Sequence, residues 1–200
     1  MWSTCTGRSR RSWGSDPRTA DPVSGGLTVD DLLAREEIGD VVKDLARGTD
    51  RLDAELMASC YHPDGTDDHN VFRGTGTEFA KWVVDTLPHF EATMHFVGAP
   101  RVRRDGDFAR VDTYCVAHHV SRPDDDGQQT DMVLGLRYVD RFERRSGTWR
   151  IAARVCAFDW TVTVPFDPAR GFRFETGWTL GARDRTDITY SDFSFTLQED

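Results

Sequence analysis

Apolar residues recur at helical spacing from Leu32 onward, through Leu33, Ile38, Val41, Val42 and Leu45. Thr28 followed by Asp31 reads as a capping box with Asp in place of Glu. A first helix is therefore expected to begin near Thr28 and to end near Gly48, a suitable left-handed cap. A short second helix is predicted from roughly Asp53 to Tyr61, with Leu56 and Met57 apolar, and Pro63, Asp64 and Gly65 are expected to stop it. A third is predicted from about Thr77 to Leu87, burying Phe79, Trp82 and Val83, with Pro88 closing it.

Beyond Pro88 the period changes. Thr93–Arg103 and Asp107–Ser121 read as strands joined at Arg104-Asp105-Gly106, where Asp-Gly signals a hairpin. Asp131–Arg145 and Thr148–Thr161 form a second long hairpin around Ser146-Gly147, and the Asp-rich stretch Arg122–Thr130 reads as a solvated connection. Helices first and long antiparallel strands afterwards predict an α+β fold, with three N-terminal helices packed on one face of a strongly curved, mostly antiparallel sheet.

The two ends of the chain read differently. Residues 1–26 are rich in Ser, Gly, Arg and Pro and show no period, so they are expected to be a disordered extension. Arg8, Arg10 and Arg11 lack the apolar stretch that would make a signal peptide. Residues 166–200 are irregular yet hold Phe166, Phe172, Phe174, Trp178 and Phe193. That many aromatics predicts a segment covering the domain or a neighbouring subunit, near the mouth of any pocket.

Composition narrows the classes of partner. A net charge of −9 argues against nucleic acid and anionic membranes. No apolar run is long enough to cross a bilayer. The scattered Cys5, Cys60, Cys115 and Cys156 form no CxxC pair and suit free thiols in a reducing cytoplasm. His62, Asp64, Asp67, Asp68 and His69 match neither a zinc signature nor a calcium loop, and read as a solvated loop. With no phosphate-binding loop either, no cofactor and no metal are expected.

Particular residues say more. Ala34-Arg35-Glu36-Glu37-Ile38 lies in the first helix and Gly48-Thr49-Asp50-Arg51-Leu52-Asp53 closes it. Tyr61-His62-Pro63-Asp64 ends the second helix, Thr93-Met94-His95-Phe96 starts the sheet, and Arg144 to Ile151 with Arg154 forms the last hairpin. In order and spacing over about residues 28–165 this series resembles the SnoaL-like branch of the nuclear transport factor 2-like superfamily. That branch includes scytalone dehydratase, γ-hexachlorocyclohexane dehydrochlorinase and bile acid 7α-dehydratase. The resemblance implies a cone-shaped domain over residues 27–165 with a deep apolar pocket and a catalytic His–Asp dyad on its wall. Asp50 stands at the family's Asp position, His95 at its His position, and Arg154 matches a pocket Arg of the dehydrochlorinase. Leu45 stands where those enzymes place Lys or Tyr, which leaves the substrate open.

The residues carry a physical reading of their own. A neutral imidazole is the side chain best suited to take a proton at pH 7, and a carboxylate on its other nitrogen fixes the tautomer. Arg154 could hold developing enolate charge or form a structural pair, for example with Asp159. Asp50 also faces the negative end of a helix dipole, the kind of local conflict expected at functional sites. His118 and His119 point to opposite strand faces, so one of the two faces the pocket and the choice stays open; His118 is placed in the substrate-binding set with Leu45, Tyr61, Trp82, Met94, Tyr114 and Phe158. The expectation is a cofactor-independent lyase or isomerase, with dehydration favoured, acting on a hydrophobic cyclic or polyketide-like small molecule in a homo-oligomer (trimer favoured, dimer possible). An aldol-type polyketide cyclase and a non-catalytic ligand-binding or assembly domain are the alternatives.

Overall fold

The computed structural model describes residues 26–167 and 174–191. The expected N-terminal disorder, with Cys5, and the aromatic positions Phe172 and Phe193 lie outside the described residues. Helix α1 spans Val29–Asp50, α2 Ala54–Ser59 and α3 Gly76–Thr86; the strands are β1 (Tyr61–Asp68), β2 (Arg73–Thr75), β3 (Phe90–Val97), β4 (Arg101–Asp105), β5 (Phe108–Ser121), β6 (Gln129–Arg145) and β7 (Thr148–Phe166). The strands form one sheet in the order β2-β1-β7-β6-β5-β3, with β4 on β5. Only β1 and β7 run parallel. The architecture is α+β, three helices on a curved and mostly antiparallel sheet.

Local chemistry explains the helices. Thr28 and Asp31 exchange both hydrogen bonds of a capping box at α1, and Thr75 with Glu78 does the same for α3. The end of α1 departs from expectation: it runs past Gly48 to Asp50, and the left-handed residue is Leu52, with φ 55°. Gly48 is needed for space, since a Cβ there would press on Met57 of α2. Asp53 is buried; it caps α2 and accepts hydrogen bonds from Tyr190 and Arg185. Pro88 closes α3 within a 3-10 turn, Leu87–His89.

The larger correction concerns residues 61–68. Pro63, Asp64 and Gly65 do not lead into a solvated loop; they form an irregular stretch inside β1. The register with β7 shifts between Tyr61 and Thr66, and the Ile151 carbonyl comes so close to Gly65 that no side chain would fit. His62 is buried with Nε2 2.9 Å from the Glu143 carbonyl oxygen, and Asp67 is 2% exposed. The expected strand Thr93–Arg103 is two strands, β3 and β4, parted at Gly98-Ala99-Pro100.

The core fills one end of the curved sheet. Ile38, Val42 and Leu45 of α1 and Phe79 and Val83 of α3 join Tyr61, Val111, Phe142, Trp149 and Ile151 from the sheet in one buried cluster. Residues 174–191 bind the outside of this layer. Arg51 pairs with Asp187 at 3.2 Å, Arg47 donates to the Thr189 carbonyl, and Arg183 donates to the carbonyls of Phe90 and Leu87.

Gly76, where β2 passes into α3, tests this packing. A Cβ at this position would overlap the buried Tyr61 ring. Gly76→Ala should cost about 1–3 kcal/mol by overpacking, a fall of several degrees in Tm. An unchanged Tm by differential scanning calorimetry would contradict the Tyr61–Gly76 contact.

Candidate active site

Asp50 is the last residue of α1, and its carboxylate receives three donors from β3. The Thr93 hydroxyl donates to Oδ1 at 2.9 Å, the His95 backbone N–H donates to Oδ2 at 2.8 Å, and His95 Nδ1 stands 2.8 Å from Oδ1. The negative end of the α1 dipole disfavours a carboxylate here, and these donors answer that cost. Burial alone would push the Asp50 carboxyl up; the His95 ring, the His95 N–H and the Thr93 hydroxyl outweigh it and hold the group below its ordinary value. With Nδ1–H committed to the carboxylate, Nε2 is left as the basic atom of His95.

His95 faces a cavity of about 310 Å³. The wall is mainly apolar, with Leu45, Trp82, Val83, Phe90, Leu134 and Phe158 among its members, and its polar members include His69, His119, Tyr138 and Arg154. Ala117 lies opposite His95 on β5 and Leu134 opposite Ala117 on β6, so a small residue leaves room beside the imidazole.

His119 is the pocket-facing member of the histidine pair; His118 points to the other sheet face, 2.7 Å from Asp131 through Nδ1. His119 takes the place given to His118 in the substrate-binding set because β5 meets β3 with Thr93 opposite His119 and Met94 opposite His118. The His119 ring stands edge-on to His95 with centroids 5.4 Å apart, and its Nδ1 is buried without a protein hydrogen-bond partner. Burial, and next the neighbouring His95, bring the His119 pKa down from 6.5 to about 4.

Of the other expected lining residues, Leu45, Trp82 and Phe158 are in the wall, whereas Tyr61, Met94 and Tyr114 are not. Met94 and Tyr114 lie on the opposite sheet face, 63% and 69% exposed, as period-two alternation around His95 and Cys115 requires. Tyr61 is buried behind the wall and donates its hydroxyl to Asp67 at 2.5 Å. Arg154 does reach the cavity, but Asp140 holds it through two bonds of 2.8 and 2.7 Å, and its guanidinium lies 4.0 Å from the Tyr138 ring centre. Asp159, given as an example of a structural partner for Arg154, pairs with Arg137 instead. The sequence reading missed Asp140, Asp67 and His69. Asp67 and His69 are two residues apart, the same-face spacing of a strand, but the turn-like residues before them hid the strand.

The chain belongs to the SnoaL-like domain family, whose model matches residues 30–155. No curated protein sequence matches it. Among solved structures it is similar to a protein of Kribbella flavida, at 17% identity and a TM-score of 0.60, covering 66% of this chain and 94% of that one. A candidate scytalone dehydratase from Novosphingobium aromaticivorans shares 20% identity with a TM-score of 0.59, covering 68% and 91%. A hexachlorocyclohexane dehydrochlorinase shares 19% identity with a TM-score of 0.59, covering 74% and 97%. At these identities the likeness is one of fold.

His119 gives the site a pH signature. Its folded pKa lies below its unfolded value, so between about 6.5 and about 4 the unfolded chain binds the extra proton and stability falls as the pH falls. The loss amounts to roughly 3 kcal/mol across that window. Urea unfolding at pH 7 and pH 4.5 should show the wild type losing more stability than His119→Phe; parallel losses would remove His119 as the cause.

Proposed function

We propose that the protein is a cofactor-independent lyase or isomerase, with dehydration as the favoured reaction, acting on a hydrophobic cyclic or polyketide-like small molecule. The observation that carries this reading is the His95–Asp50 hydrogen bond, made on the wall of an apolar cavity. His95 Nε2 takes an acidic C–H proton beside a carbonyl while Asp50 holds the tautomer and stabilises the imidazolium as it forms. His119 stays neutral and offers a hydrogen bond to the substrate. Arg154, fixed by Asp140, contributes a localised positive charge near developing enolate charge and has little freedom to follow a substrate. The family membership and the dehydratase and dehydrochlorinase names among similar structures support the class.

An aldol cyclase relying on its Asp fits less well. Both Asp50 oxygens already accept bonds from Thr93 and His95, so the carboxylate has little left to offer a substrate. A purely ligand-binding domain would have no need of a base with one committed nitrogen in an apolar pocket.

Cyclic β-hydroxy ketones are suitable probes, read by enone formation and by exchange of the α-proton with deuterated solvent. His95→Gln should lose about 10²–10⁴-fold in kcat/KM with circular dichroism unchanged. Asp50→Asn should lose less, the imidazole remaining in place with the wrong tautomer favoured. Wild-type protein that accelerates neither elimination nor exchange across the panel would overturn the reading.

The assembly we propose is a homotrimer, with copies meeting on the outer sheet face that exposes Met94, Phe96, Tyr114 and Trp160. Sedimentation velocity should give a trimer that Phe96→Asp dissociates; a monomeric wild type would refute it. Among the described residues no helix is long and apolar enough to cross a membrane.

A further inference from the structure

The cavity holds a second histidine–carboxylate pair that the proton abstraction does not use. His69 follows β1 directly and lines the cavity. Its Nδ1 is hydrogen-bonded to Asp67 Oδ1, and its ring stacks on Phe79 with centroids 4.5 Å apart and planes 17° from parallel. Asp67 is buried and receives the Tyr61 hydroxyl on its other oxygen. The imidazole is thus fixed on both sides, with Nδ1–H spent on the carboxylate and Nε2 left over, as in His95.

The two pairs differ in their surroundings. Behind His69 lies a buried row across three strands. Asp67 of β1 stands opposite Arg154 of β7, and Arg154 stands opposite Asp140 of β6. The row thus holds two carboxylates and one guanidinium, of which Asp140 bonds Arg154 directly; the other titratable neighbours, Tyr61, Tyr138 and Cys156, are held neutral because burial pushes each of them up. Phe79 of α3 adds no charge. A proton on His69 brings this buried row to neutrality, and buried charge is tolerated only when balanced. Around His95 the balance differs: Asp50 has the charge of Arg183 nearby, and His119 beside it is kept neutral. Two titratable groups of one cavity, set in environments of opposite charge balance, are how a site assigns an acid and a base.

We propose that His69 is the general acid of this site, donating the Nε2 proton to the leaving oxygen while His95 removes the C–H proton. This rests on the eliminating activity inferred above. In the balanced step, neutral His95 takes a proton from the carbon and the C–H electron pair becomes the new C=C bond. The C–O bond breaks with its pair on oxygen, and His69 imidazolium protonates that oxygen to release water. His95 ends protonated and His69 neutral, and proton exchange with water restores both. The position of His69 supports the division of labour: β1 and β3 are separated in the sheet order by β7, β6 and β5, yet both face one cavity, so the acid and base approach a bound molecule from different walls.

Leaving-group dependence separates this role from a structural one. Paired cyclic ketones carrying β-hydroxyl or β-(4-nitrophenoxy) groups are the probes. For the hydroxyl substrate His69→Gln should lose about 10²–10⁴-fold in kcat. For nitrophenoxide, which departs without a proton, the loss should be under about 5-fold, and His95→Gln should impair both. Equal losses of His69→Gln on the two substrates would overturn the proposal. A second readout needs no turnover and no stable variant: ¹⁵N spectra of histidine-labelled wild type at pH 7 should show His69 with both ring nitrogens protonated and His95 and His119 with one each. A neutral His69 overturns the acid role. Absence of elimination with a protonated His69 would instead overturn the dehydratase reading, and the acid role with it, and would leave only the charge of His69 standing.

Discussion

The carboxylate of Asp50 is the point on which helix layer and sheet edge depend together. It ends α1, and its three donors all come from β3, an outermost strand of the sheet. A strand at a sheet edge has one side without a ladder partner; here part of that side is tied to the helix instead. The same bonds orient His95. A group that would be costly at the negative end of a helix is made tolerable by the contacts that set up the proposed base, so position and chemistry share one set of hydrogen bonds.

The opposite wall is built differently. Asp67, Arg154 and Asp140 make a cross-strand row, and the bidentate Arg154–Asp140 bond is fully enclosed. Buried ion pairs bring little net stability compared with apolar packing, because desolvation consumes most of the attraction. What such a row supplies is fixed charge at a known place. Burial pulls the Asp140 carboxyl up, and the guanidinium pulls it back. Between the two polar walls the lining is aliphatic and aromatic, which strengthens each electrostatic contact made inside.

Much of this was legible in the sequence where one local rule decided the outcome. The Thr28–Asp31 box, the Asp105-Gly106 and Ser146-Gly147 turns and the helical spacing from Leu32 to Leu45 each correspond to an observed element. The juxtaposition of Asp50 and His95 was legible from their order along the chain, through family resemblance, because no short-range rule joins a helix end to a strand 45 residues later. Local rules failed where tertiary contacts overrode them. Pro63, Asp64 and Gly65 carry every sign of a turn, yet the approach of β7 draws them into a strand. Alternation along β5 is unbroken and sets His119 on the buried face with Cys115 and Ala117; the bulges expected of a curved sheet lie elsewhere, where β6 and β7 slip register between Gly135 and Leu136 and between Arg141 and Phe142. The partner of Arg154 depended on that register, and so was out of reach.

Those slips bear on the site itself. In a flat sheet, strands lie about 4.8 Å apart, which would leave β1 and β3 roughly 19 Å from each other, too far to share a cavity of this size. Curvature closes that distance, and bulges are the device that bends long strands. At one of them Gly135 lies across from Trp160, whose ring occupies the space a side chain would need. The slips in β6 and β7, between the strands that position His69 and His95, thus contribute to the spacing of the two histidines. Fixing the proposed acid and base to distant strands of one bent sheet makes their spacing a property of the whole sheet. The apolar core between helices and sheet, which holds that bend, then supports the chemistry as directly as the hydrogen bonds that orient each ring.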